Sequence, residues 1–325
     1  MSVLNILFVG SDEVARSIAK KSDSRDVDNY VYKDLKEGGL FSTISILRPN
    51  NYPDKPKPFF TSLTVSDFGI IEVNKVDGSF GEVIVSMASA GIKDGLVIIN
   101  SSEGEWVDDS QVKTLLQQAG LSNWEFIEND GVIIREKLIG VLNQIKPNDD
   151  EGFVVAVDQA FTVKGVGLVA VGHVQSGKVN KHDELILAGS EGNAIARSLQ
   201  VMDLDVEVAN VGDRVGLAMR TAGPFREDLL GKGSVLADSN ERFTVETKSK
   251  FDLDKAAFQK NDLAVGDVVH LCSDLQFVVG RISEISDCIH IDWDFPIVLN
   301  KSSTRNPLIV QLEANPRIMG FAKFK

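Results

Sequence analysis

The amino-acid sequence predicts a multidomain chain, an α/β layer followed by two all-β units. Three observations predict it. Over residues 1 to about 146, strand-like apolar runs alternate with helical stretches, the pattern of a mainly parallel sheet covered by helices. At KPNDDEG (146–152) the pattern changes: short strands then recur every eight to twelve residues, with Gly and Asp turns between them and no helical stripe. A second all-β stretch begins near Phe243 and runs to Lys325. The expected units are 1–147, 148–240 and 241–325.

In chain order, LNILFVG is a buried strand, and FGIIEV, GEVIVSM and DGLVIIN read as further strands. Between the first and second, NNYPDKPKPFF reads as a proline-punctuated loop, not a central element. VDDSQVKTLLQQAG is a helix. Asp109 or Ser110 can cap it, Val112, Leu115, Leu116 and Ala119 form its stripe, and Gly120 ends it. REKLIGVLNQI is a last helix, closed by Pro147. The second unit carries FVVAVDQAFTV, GLVAVGHV, DELILAG, ARSLQVM and DRVGLAMR. The third carries FTVETKSKF, DVVHLC, QFVVGRI, IHIDW, PLIVQLE and RIMGFAKF.

Composition narrows the function. The formal net charge is -13, which opposes nonspecific adhesion to nucleic acid but leaves room for a local basic face. DNA is not an expected partner. No apolar run is long enough to span a membrane, and the start, MSVLNILFVG, lacks a basic n-region and a cleavage site, so a cytoplasmic location is expected. Cys272 and Cys288 form no CxxC and read as buried small hydrophobes; neither a metal site nor a disulfide is expected.

The stretch GSDEVARS (10–17) follows the first strand with the spacing of a phosphate loop, G-x-x-x-x-G-K-[ST]. Gly10 and Ser17 fit; Ala15 replaces the second glycine and Arg16 the lysine. A Cβ at position 15 disfavours close approach of backbone to phosphate, and a planar guanidinium does not substitute for a lysine point charge. A plain strand-to-helix turn is the favoured reading.

The most specific text is 158–187, DQAFTVKGVGLVAVGHVQSGKVNKHDELIL, followed by ANVGDRVGLAMR (209–220). Phe161, Val163, Gly165, Gly167, Val169, Gly172, Ser176, Gly177, Asp183, Ala209, Gly212, Asp213, Arg214, Val215 and Gly216 closely resemble domain II of the translational GTPases, the family of elongation factor Tu and the selenocysteine-specific factor SelB. Leu168 departs from a usual threonine. More weakly, Arg317-Ile318-Met319-Gly320 resembles the closing strand of domain III. The resemblance implies a reduced P-loop NTPase-like α/β domain followed by two β-barrels. SelB itself continues into a further RNA-reading domain, so reading of a selenocysteine insertion element is not expected from these residues.

Against that family the nucleotide motifs are degenerate. The counterpart of Asp-x-Pro-Gly-His is sought in DGSFGEVI (77–84), where Asp77 survives and Gly81 replaces the water-positioning histidine. Thr64 is the candidate switch threonine. NKVD (74–77) spells the guanine motif but precedes the DGLVIIN strand, one strand too early. In FIEND (126–130) only Asp130 corresponds, and if this is the last strand the guanine motif is deleted. The remnant nucleotide set is Gly10, Arg16, Ser17, Thr64, Asp77 and Asp130, with no catalytic residue and no metal ligand. No cofactor is expected; GTP and Mg2+ belong to the alternative of a divergent, active GTPase. The resemblance implies a pseudo-GTPase, an elongation factor-like protein with tRNA or a ribosome-associated component as partner. Lys164, His173, Lys178, Lys181 and Arg220 are the candidate RNA contacts. His182 stands with them, and Arg214 reads as structural, tied to Asp213 or to backbone carbonyls. A protein-interaction scaffold that binds no RNA is the second alternative.

Overall fold

A computed structural model describes residues 3–35, 41–101, 106–145, 152–301 and 303–325. Its first unit holds β1 (Val3–Val9), α1 (Asp12–Ile18), β2 (Lys20–Ser24), β3 (Val27–Leu35), β4 (Phe41–Pro49), α2 (Pro56–Leu63), β5 (Phe68–Val73), α3 (Gly78–Ala90), β6 (Gly95–Ile99), α4 (Asp109–Gln118), β7 (Glu125–Ile127) and α5 (Gly131–Leu142). The seven strands run in the order β2-β3-β4-β1-β5-β6-β7. β1 is parallel to both β4 and β5, β6 and β7 continue in parallel, and β2 and β3 add an antiparallel edge. β1 and β5 are almost wholly buried apolar runs, as strands covered on both faces must be.

Four local expectations change. GEVIVSM lies in α3, not in a strand. Asp77 accepts from the Ser79 and Phe80 amides at 3.0 and 3.1 Å and starts the helix. Phe80, Val83, Ile84, Val85 and Met87 are all buried, because α3 packs on the sheet and also against the third unit. A helix buried on several sides loses its 3.6-residue stripe and reads like a strand. The end of NNYPDKPKPFF opens α2: Pro56 sits in the first turn, where its missing N–H costs nothing, and Phe59 and Phe60 are fully buried. α4 begins as expected, capped by Asp108 instead of Asp109 or Ser110. α5 starts earlier than REKLIGVLNQI, at Gly131. Pro147 lies outside the described residues.

The second unit holds β8 (Phe153–Val163), β9 (Gly167–Asn180), β10 (Glu184–Leu187), β11 (Asn193–Val201), β12 (Leu204–Val206), β13 (Val208–Asn210), β14 (Arg214–Ala222) and β15 (Val235–Ala237). Its sheet runs β10-β15-β8-β9-β14-β11-β12, and an added β10–β11 pairing turns it back on itself. The third unit, β16 (Phe243–Lys255), β17 (Val268–Ser273), β18 (Gln276–Ile285), β19 (Ile289–Asn300), β20 (Leu308–Val310) and β21 (Ile318–Phe324), is a closed barrel in the order β16-β19-β18-β17-β20-β21. The predicted fold class, α/β followed by two β-barrels, is the one observed. Cys272 is buried but Cys288, beside the β18–β19 turn, is only half-buried, so it is not a core residue; both are free thiols.

The first and third units share one core. Phe59, Phe60, Val83 and Met87 pack in the same cluster as Ala256, Cys272, Leu308, Val310 and Ile318. Glu82 of α3, only 4% exposed, meets Arg317 in a bidentate ion pair, with Arg317 Nη2 at 2.9 Å and the Arg317 amide at 2.7 Å. The first and second units meet through alternating charges: Arg25 and Arg214 both reach Asp158, at 2.8 and 3.0 Å, and both reach Asp23, at 2.9 and 3.3 Å. Arg214 is therefore structural, as expected, but its partners are Asp23 and Asp158, not Asp213.

Candidate functional site

An open α/β sheet binds ligands beyond the carboxyl ends of its strands, where the connections part to either side. Here that point is β1, flanked by β4 and β5. The chain leaves β1 through Gly10 and Ser11 alone. Ser11 caps α1 by accepting from the Val14 amide at 3.3 Å, and residues 12–18 are already helical. GSDEVARS thus forms a two-residue turn and a seven-residue helix. No loop of free amides remains to cradle a phosphate. Ala15 is a buried helical residue packed into the core, so its methyl group does not face a phosphate position, and the obstacle lies elsewhere.

That obstacle is Glu72, in the last turn of strand β5 before the crevice. Its Oε2 accepts from the Ser11 amide at 2.5 Å and its Oε1 from Asn100 Nδ2 at 2.5 Å. A Cβ at position 10 would lie 2.7 Å from that carboxylate and 2.6 Å from the Phe8 ring, so glycine is the residue that lets the carboxylate close on the turn. From β4, Arg48 Nε donates to the Gly10 carbonyl at 2.7 Å, and its Nη1 reaches Asn50 at 2.9 Å and Asp28 at 3.3 Å. Behind them Tyr30 donates to Asp12 at 2.5 Å, and Lys21 bridges Asp12 and Asp28 at 3.1 and 2.7 Å. The Tyr30 hydroxyl first, then Arg16 and Lys21, hold Asp12 well below the usual carboxylate range. The turn is thus held from both sides, its Ser11 amide by the Glu72 carboxylate and its Gly10 carbonyl by the Arg48 guanidinium, with Asp12 and Glu13 following in the first turn of α1.

The remnant nucleotide residues do not converge. Gly10 is in the turn. Arg16 points outward and pairs with Asp12. The Ser17 hydroxyl donates to the Val14 carbonyl at 2.8 Å and is not offered to a metal. Thr64, at the end of α2, donates to the Thr61 carbonyl at 2.7 Å and accepts from the Leu275 amide of the third unit at 3.0 Å. Asp77 caps α3, and Asp130 caps α5 through the Val132 and Ile133 amides at 2.7 and 3.1 Å. Gly81 faces open space on α3. β7 is the last strand of its sheet, so FIEND follows the edge, and the chain leaving β6 passes through Asn100 instead. Among the described residues no group of three His, Cys, Asp or Glu could hold a metal ion.

The barrel cations are likewise dispersed. Lys164 occupies the β8–β9 turn, Lys178 the far end of β9, which is roughly 35 Å away along an extended strand. Arg220 pairs across from Ile195 near the Lys164 end, and Lys181 is tied to Glu207 at 3.1 Å. His173 cannot contact RNA: it is 3% exposed, wedged near Asp158 and Arg214. Glu72, Arg48 and Asn100 escaped the sequence reading. Their signal was a lone polar residue at the end of each apolar strand-forming run, FGIIEV, ISILRP and DGLVIIN.

No family model matches the chain. An uncharacterized protein of Methanocaldococcus jannaschii is 29% identical over 281 residues, covering 86% of each chain. The selenocysteine-specific elongation factor of Escherichia coli is 30% identical over 220 residues, 62% of this chain, and that of M. jannaschii is 30% identical over 145 residues, 45% of it. These matches span only 34% and 30% of the two factors' own length. In structure, apo SelB of Methanococcus maripaludis superposes with a TM-score of 0.79 at 18% identity, covering 100% of this chain and 80% of that one. The same factor with the GTP analogue GppNHp gives 0.80 at 18%, covering 99% and 78%. Bacterial EF-Sec gives 0.76 at 16%, covering 100% and 58%. No helix of the described residues is long and apolar enough to cross a membrane. The shared domain order and fold are those of SelB, and the sequence matches to the selenocysteine-specific factors support a likeness to the translational GTPase superfamily.

Proposed function

We propose that this chain is an elongation factor-like protein that binds tRNA or another RNA of the translation machinery and has lost GTP hydrolysis. The three units, 1–147, 148–240 and 241–325, belong to the same proposal. One observation supports the loss: the carboxylate of Glu72 occupies the Ser11 amide, at the turn that leaves β1 where a phosphate loop would lie. An anion brought about 4 Å from a fixed carboxylate is repelled by about 4 kcal/mol at the effective dielectric of a protein surface, nearly a thousandfold in affinity. Glu13 in the first turn of α1 adds to that repulsion, whereas Asp12 is offset by Arg16 and Lys21, and the Arg48 guanidinium on the Gly10 carbonyl opposes it in part. Hydrolysis further requires a group that positions water, and among the described residues the polar side chains named at the crevice are engaged with one another.

The test is calorimetric titration of GTP, GDP and ATP with Mg2+, alongside single-turnover hydrolysis. Neither binding below about 1 mM nor turnover is expected. Micromolar guanine-nucleotide affinity would overturn the binding half and measurable turnover the catalytic half, and the chain would then be a divergent active GTPase. Glu72→Gln is the informative variant. It keeps the shape, and a flipped Asn100 amide can meet the new NH2, so stability should hold. Phosphate affinity should rise while hydrolysis stays absent. The RNA half is tested by pull-down with and without ribonuclease; partners that survive ribonuclease would favour a protein scaffold.

A further inference from the structure

The cation that stands in the lysine position of the degenerate loop has not been idle. Arg16 leaves the crevice and lines a groove of about 400 Å³ on the outer edge of the first sheet, formed with Ile18, Ala19, Lys20, Lys21, Val31, Tyr32, Lys33 and Arg135. Five of these residues are cations and none is a carboxylate. Other clefts of the molecule mix signs: Arg25 and Lys232 face Asp26 and Asp158 in one, and Arg317 faces Asp77 and Glu82 in another. On a chain of net charge -13 this is a local concentration of positive charge that the overall composition does not predict.

The groove is built on rigid elements. Arg135 of α5 donates to the Ser17 and Ile18 carbonyls at 2.8 and 3.0 Å, closing the end of α1, and its guanidinium lies 5.4 Å from the Tyr32 ring centre. Lys21 is held by Asp12 and Asp28 beneath the surface. Lys33 reaches the Met202 carbonyl of the second unit at 3.2 Å, so the groove runs toward the first barrel. Lys20 is exposed on β2, the edge strand. Asp12 and Asp28 offset part of the charge from behind, which leaves a net positive face. Spaced cations beside a half-buried tyrosine suit a phosphodiester backbone with its sugars and bases.

We propose that this groove is a seat for the RNA backbone, with Arg16, Lys20 and Lys33 as its phosphate contacts. The assignment rests on the RNA half of the proposed function and locates it on the α/β unit instead of the dispersed barrel lysines. On a chain of net charge -13, a polyanion is repelled on average, and this positive face offsets that repulsion locally.

The experiment measures the affinity of the full chain for unfractionated tRNA as a function of KCl. Three proteins are compared: the wild type, Lys20→Ala/Lys33→Ala, and Lys178→Ala/Lys181→Ala. Arg16→Gln is a second groove variant, and thermal melting verifies that each is folded. The groove variant should bind about tenfold more weakly at 0.1 M salt, and its log K against log [salt] slope should shrink by about 1.5 to 2, the value of two lost phosphate contacts. Unchanged affinity and slope in both groove variants would overturn the seat while the RNA reading survives. Failure of the wild type to bind tRNA would overturn both. Tighter binding of poly-glutamate than of tRNA at equal salt would replace the RNA by an acidic protein partner and overturn the assignment.

Discussion

At the end of β5, Glu72 is held between two donors, the Ser11 amide and the Asn100 side chain, each at 2.5 Å. That single side chain converts a turn with an inherited spacing into a closed one, because a turn amide can serve one anion at a time. His173 is the other residue whose setting has a measurable consequence. Burial, reinforced by the Arg214 charge, lowers it to about 4 from the ordinary 6.5, and Asp158 opposes the shift without reversing it. Its Nδ1 has no hydrogen-bond partner. A histidine with a lowered folded-state pKa contributes stability that is present above pH 6.5 and lost as pH falls toward 4, where only the unfolded chain has taken up the proton. Stability should therefore decline between pH 6.5 and 4 by on the order of 3 kcal/mol from this residue. Urea unfolding across that range would measure it. His173→Gln should flatten the segment; an unchanged slope in the variant would assign the pH dependence elsewhere.

Among the elements, α1 and α5 explain why the crevice stays shut. α1 is only seven residues long, and it is held by α5, whose Gly131 packs so closely that a Cβ would lie 2.2 Å from the Ser17 carbonyl oxygen. α5 in turn depends on its Asp130 cap. Asp130→Ala leaves two first-turn amides to water and should cost about 1 kcal/mol in thermal or urea unfolding. Asp130→Asn should retain most of that stability, since an amide oxygen can accept the same bonds. A residue serving only a nucleotide would show neither effect. α3 illustrates the opposite limit, a helix whose burial between sheet and barrel hides its periodicity.

At the level of the whole molecule, the first and third units behave as one body because they share a core and a buried ion pair. Glu82 accepts from Arg317 and from the Tyr52 hydroxyl at 2.7 Å, and burial followed by the Glu82 charge pushes the Tyr52 hydroxyl well above its ordinary range. Breaking such a pair from one side leaves a buried charge uncompensated. Arg317→Ala should lose about 3–5 kcal/mol, read as a lowered midpoint in calorimetry. The wild type should unfold the first and third units in one transition. Two resolved transitions for them would show that the shared core does not couple them.

The sequence by itself determined what depends on neighbours along the chain. The glycine turns and alternating strands of 153–237 and 243–324 spelled two barrels, the domain II phrases carried the resemblance to the translational GTPases, and GSDEVARS read as a strand-to-helix turn with the spacing of a phosphate loop but not its residues. Tertiary structure alone decided what depends on residues far apart. Only the pairing of β1 with β5 brings Glu72, sixty-one positions away, onto the Ser11 amide. Only the docking of the third unit buries the outer side of α3, which hides the helical period of GEVIVSM, and makes Thr64 an interface residue. Packing of α1, β2, β3 and α5 gathers Arg16, Lys20, Lys33 and Arg135 in one groove. The physical reason is the range of the forces: backbone propensity and turn sterics act over a few residues and can be read locally. Burial and charge compensation act through space and acquire partners only once the chain has folded.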